Sequence, residues 1–156
     1  MHQLLINAYA YRLTENNLDI SHHGVLKKVV LNTWVFNNCD VFLSWMPCIL
    51  SSITTGTLQI VNVDFDMFDE DSAWCLDLLI DTVEQSDFFE RIDTILSRGN
   101  FANLDKALVS VAVMTRIALV RTQGYAVIGE RWTRWEQLVR EKMPRAEKRG
   151  ILRYIR

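Results

Sequence analysis

One apolar run limits what this chain can become more than any other feature. Of the fourteen residues Ala107–Val120, only Ser110, Thr115 and Arg116 are polar. A bilayer span takes about 20 predominantly apolar residues, so the run is too short to cross a membrane. A segment apolar on every side must be covered on every side. The pattern therefore predicts a central core helix over about residues 104–122, capped by Asn103 or Asp105 and ended by Gly124.

Around that helix the chain reads as mainly α, a compact helical bundle forming a single domain over residues 1–156, with a basic C-terminal segment at 145–156. Helices are predicted at Leu4–Arg12, Val25–Phe36, Val41–Ile53, Ala73–Glu84 and Phe88–Ser97. Pro47 should kink or split the third of these. A last long helix, Tyr125–Met143, carries the stripe Ile128, Trp132, Trp135, Val139 and Met143, and its other face offers the i,i+4 pairs Glu130–Arg134, Glu136–Arg140 and Glu141–Arg145. One further short basic helix falls within Ala146–Arg156. Only one stretch has a period of two: Val61, Val63, Phe65 and Met67 alternate with Asn62, Asp64 and Asp66. It predicts one small β element near 57–67, either an extended loop or a strand with a partner in residues 1–10.

Composition supports a folded domain. Of 156 residues 49% are hydrophobic and 23% charged, which excludes whole-chain disorder. Cys39, Cys48 and Cys75 form no CxxC pair and lie among apolar neighbours, the usage of reduced, buried thiols. No basic, then long apolar, N-terminal pattern is present, and the expectation is a cytoplasmic protein without membrane contact.

Net charge is −2, but it is unevenly spread. Asp64 to Asp93 holds eleven acids and one base, Arg91, whereas Arg131 to Arg156 holds nine Lys/Arg and three acids. The acidic segment Asp64, Asp66, Phe68, Asp69, Glu70 and Asp71 mixes carboxylates with apolar side chains and suits a basic, partly apolar partner. On a strand Asp64 and Asp66 point the same way, as a Mg²⁺ pair would. A Ca²⁺ loop is excluded, because Asp69 and Cys75 stand where glycine and glutamate are required. At the other end Arg145, Lys148, Arg149, Arg153 and Arg156 could meet an acidic partner or a nucleic-acid backbone.

Catalysis has almost no support. His22-His23 and His2 lack the further ligands or the nucleophile that a site needs, and read as helix-start polar residues. Neither G-x-S-x-G, G-x-G-x-x-G nor a P-loop occurs. No metal or cofactor is expected. The sequence thus points to a non-enzymatic interaction module: an adaptor, inhibitor or assembly subunit, of the kind seen among small phage, viral and plasmid accessory proteins. Its partner would be another protein or a second copy of itself. Two alternatives follow from the same residues: a nucleic-acid-binding subunit using the basic C-terminus, and a metal-dependent enzyme at Asp64 and Asp66.

Overall fold

The apolar run that suggests a buried helix begins as a buried strand. In the computed structural model, which describes residues 3–8, 25–35, 40–68, 72–114 and 124–155, the elements follow in the order β1 (Gln3–Ala8), β2 (Lys28–Trp34), α1 (Asp40–Ser52), β3 (Ile60–Phe68), α2 (Ser72–Glu84), α3 (Phe88–Leu96), β4 (Lys106–Met114), α4 (Gly124–Lys142), α5 (Pro144–Lys148) and β5 (Leu152–Ile155). The five strands form one sheet in the order β1-β2-β3-β4-β5. Every neighbouring pair is parallel.

The fold is therefore α/β, and the expectation of a mainly α helical bundle is wrong. The predicted central helix at 104–122 is replaced over residues 106–114 by strand β4. Likewise Val25–Phe36 yields β2, and Leu4–Arg12 yields β1. The physical reason is common to all three. Apolar residues occupy outward as well as inward positions in these segments, such as Val30 in β2 and Leu108 in β4, so each shows a near-continuous apolar run without alternation. Such a run does not discriminate a buried helix from a buried strand. The valines at 109, 111 and 113, β-branched and stiff at χ1, favour the strand. The alternating β element near 57–67 is present as β3, the middle strand of five rather than an isolated element. Residues 1–10 contribute β1, which pairs with β2 and not with β3.

Helices α1 to α4 lie close to their predicted positions. α1 runs unbroken through Pro47. Proline has no N–H, so the Leu43 carbonyl one turn earlier loses its helical donor; the Arg91 guanidinium from α3 reaches it at 3.5 Å. The Trp132, Trp135 and Val139 stripe of α4 is buried, as its spacing requires, and so is Met143 just after the helix. Cys75 is buried in the core, whereas Cys48 on α1 is exposed, against expectation.

Consecutive parallel strands laid down in one direction through right-handed crossovers place all their connections on one face of the sheet. The rings show that arrangement for α1, α3 and α4. Phe65 of β3 meets Phe42 of α1 at 5.1 Å between centroids, Phe88 and Phe89 of α3 at 6.3 and 6.5 Å, and Trp135 of α4 at 5.6 Å, all edge-on. Leu76, Leu79, Ile80 and Val83 of α2 and Ala146 of α5 belong to the same core. Along β3 burial alternates strictly: Val61, Val63, Phe65 and Met67 are buried toward the helices, and Ile60, Asn62, Asp64 and Asp66 are half-buried on the other side.

Phe65→Ala should cost about 3–5 kcal/mol, the usual penalty for emptying a buried aromatic site. Chemical denaturation should show the midpoint falling with little change in slope. A loss under about 1 kcal/mol would mean that the aromatic cluster does not organise the core.

Candidate functional site

The sheet register assembles a polar cluster on the face away from the helices. Asn32 of β2 lies opposite Asp64 of β3, and Asp64 lies opposite Ser110 of β4. Two residues earlier the row is Val30, Asn62, Leu108 and Arg153, across β2 to β5. Two residues later Trp34 lies opposite Asp66. Successive side chains on a strand point to opposite faces, so each of these rows shares the outer face.

Inside the cluster most hydrogen-bonding groups are paired. The Ser110 hydroxyl donates to Asp64 Oδ1, and the Asn62 amide donates to Asp64 Oδ2 at 3.0 Å. The Asn32 amide donates to Asp66 Oδ2 at 2.8 Å. Asn62 Oδ1 is buried without a partner. Burial pushes the Asp64 carboxyl above the usual carboxylate range, and the negative charge of Asp66 adds to the push. The Ser110 and Asn62 hydrogen bonds and the charge of Lys28 act the other way. Asn32, Asn62, Asp64 and Asp66 are thus half withdrawn from water on a sheet face that no described helix covers.

Asp64 and Asp66 thus share a face, as their spacing predicts. The chain also brings Arg153 of the basic segment onto that face, beside Leu108. Phe68 ends β3; Asp69, Glu70, Asp71 and Arg156 lie outside the described residues, as do His2, His22 and His23. The remaining basic residues sit on the helical side. Arg149 donates to the carbonyl oxygens of Leu96 and Phe101 at 2.7 and 2.9 Å, closing the end of α3 and the turn after it. Arg145 donates its backbone N–H to the buried Asp93 carboxylate at 3.1 Å, as Ala146 does at 2.8 Å, and its guanidinium reaches Thr94 at 3.3 Å. Lys148 is exposed at the end of α5.

Much of the uneven charge is matched internally. Arg131 pairs with Asp77 at 2.8 Å, Arg134 with Glu84 at 2.7 Å and Asp81 at 3.3 Å, and Lys142 with Glu90 at 2.7 Å. These pairs join α4 to α2 and α3. Arg134 therefore turns to another helix and not to Glu130, while Arg140 reaches Glu147 at 3.1 Å.

Sequence reasoning found the two aspartates and missed Asn32, Asn62, Ser110 and Lys28. Lys28 and Asn32 stand four apart in a segment read as helical, and Ser110 sits inside the apolar run, where it looks like an interruption. Only the strand register joins them. Among the described residues no group of three or more His, Cys, Asp or Glu could hold a metal ion, and no helix is long and apolar enough to cross a membrane. Compared with protein-family models, with curated proteins and with solved structures, the chain matches none.

Asp64→Asn tests the electrostatics of the cluster. An amide at 64 can still accept from Ser110 and can donate to Asn62 Oδ1. A raised folded value means that the cost of a charged Asp64 is absent below the ordinary 3.8 and grows as pH rises through the folded value. The variant should therefore melt higher than the parent at pH 7, with the difference closing in acid below 3.8. Thermal melts across pH would show it; a variant less stable at pH 7 would contradict the account.

Proposed function

We propose that this chain is a non-enzymatic interaction module, and that it docks through the outer face of its sheet, around Asn32, Asn62, Asp64, Asp66, Leu108 and Ser110. The observation that carries the reading is one-sided winding. All-parallel sheets occur almost only with both faces covered, and here the described helices pack on one face alone. The other face offers what a binding patch needs: apolar ground in Ile60 and Leu108, carboxylates at the centre, and polar partners that fix their orientation. A partner of matching chemistry is a protein surface with basic and apolar side chains.

The two alternatives have less behind them. Among the described residues a nucleic-acid contact through the C-terminus would rest on Lys148 and Arg153, because Arg145 and Arg149 are engaged with α3 and the following turn. A catalytic metal at Asp64 and Asp66 would compete with hydrogen bonds that already occupy three of their oxygens, and no third acidic ligand joins them among the described residues.

Leu108→Arg places a charge in the centre of the half-buried face, where it can still extend into water, and the fold should survive. The chain purified from its own cells should run above its own 18.2 kDa by light scattering, and the variant should lose that extra mass while keeping its melting temperature. If the variant keeps every associate of the parent, the outer face is not the docking surface.

A further inference from the structure

The geometry points to a second copy of this chain as the occupant of the outer face, stacked sheet on sheet with its strands antiparallel to the first; this rests on the docking reading above. The argument is the distribution of charge along the strands. The outer face is polar from end to end in a definite sense. Its first row, at the N-terminal ends of the strands, carries Lys28 and Lys106 on either side of Ile60. Toward the C-terminal ends, in the last row that β2 reaches, it carries Asp66 beside Trp34. The same sense holds one row inward, where Arg153 shares a row with Asn62 and Leu108, and the next row holds Asp64.

A closed dimer requires a surface that complements itself under a two-fold rotation. A two-fold axis along the strands would keep them parallel and set lysine row on lysine row. An axis in the plane of the interface, across the strands, reverses them. It lays β3 on β3, brings each basic row over the partner's acidic end and places Lys28 over the Trp34 ring of the other copy. Only the second arrangement pairs opposite charges, and it does so twice. Aligned sheets pack about 10 Å apart at roughly 30°, a gap that half-buried side chains such as Ile60 and Leu108 fill. At about 4.8 Å between strands and about 3.3 Å per residue the face measures about 20 by 23 Å, so two copies would bury on the order of 1,000 Å², the lower bound for a specific interface. The helical side is a poorer candidate, since its cations already meet Asp77, Asp81, Glu84 and Glu90 within the chain.

Sedimentation equilibrium of the intact chain over a concentration series is the test. The expected result is a species of about twice 18.2 kDa that dissociates as salt is added. Lys106→Glu should weaken the dimer by about tenfold or more, because the symmetry places two new like-charge contacts in one interface. Asp66→Lys should do the same, and the two together should restore association. Should Asp66→Lys fail to fold, Lys28→Glu supplies a second reversal on an independent strand. A chain that stays monomeric at every concentration overturns the proposal, as does a dimer indifferent to both lysine reversals. A monomer that nonetheless loses a different protein partner on Leu108→Arg overturns this inference alone and leaves the docking reading standing.

Discussion

Phe65 is the point on which the structure turns. It projects from the middle strand into rings from α1, α3 and α4, and those contacts hold three separate crossovers on one side of the sheet. The neighbouring positions on β3 follow from it by the two-residue period of a strand. If Phe65 faces the helices, Val61, Val63 and Met67 must face them as well, while Asn62, Asp64 and Asp66 must face away. The polar cluster is thus a consequence of how the core is packed, and the same alternation that builds one side delivers the other.

That outer side carries a cost that the inner side does not. Asp64 is held among neighbours that partly exclude water, close to Asp66, and Asn62 keeps a buried oxygen without a partner. A buried unpaired acceptor costs about 1–3 kcal/mol, and a carboxyl raised above its ordinary range opposes folding at neutral pH. Deviations of this kind gather where a surface has a task beyond stability. The pairing of Asp64 with Ser110 and Asn62, and of Asp66 with Asn32, keeps the side chains in fixed positions, as the proposed docking would require.

The helical side tells the opposite story about charge. An acidic middle followed by a basic end looks in sequence like two binding regions for two partners. In the fold, α2 and α3 lie against α4, and Asp77, Asp81, Glu84 and Glu90 meet Arg131, Arg134 and Lys142. Exposed ion pairs contribute little each, about 0–1 kcal/mol. They do remove the need for an external counter-charge, and they leave the outer face of the sheet as the place where opposite charges remain separated along the strands.

How much of this was legible follows from which interactions are local. The helices α1, α2, α3 and α4 could be read because their stripes, caps and stops lie within one turn or two of each other; the inward face of Trp132, Trp135, Val139 and Met143 is an example. β3 could be read because its two faces differ in solvent contact, which prints alternation into the residues, and with it the shared face of Asp64 and Asp66. β2 and β4 could not, since apolar residues stand at outward positions as well as inward ones, Val30 in β2 and Leu108 in β4, which erases the period and leaves an apolar run that suits a helix equally well. The sequence by itself determined a core rich in aromatic side chains, the amphipathic helices and the aspartate pair. Tertiary structure alone decided that the apolar runs are strands, that Asn32, Asp64 and Ser110 stand in one row, and that Arg131, Arg134, Arg140 and Lys142 meet acids of the same chain. Strand pairing joins residues 32, 64 and 110 through hydrogen bonds between distant segments, and no periodicity within a single segment encodes which strand lies beside which.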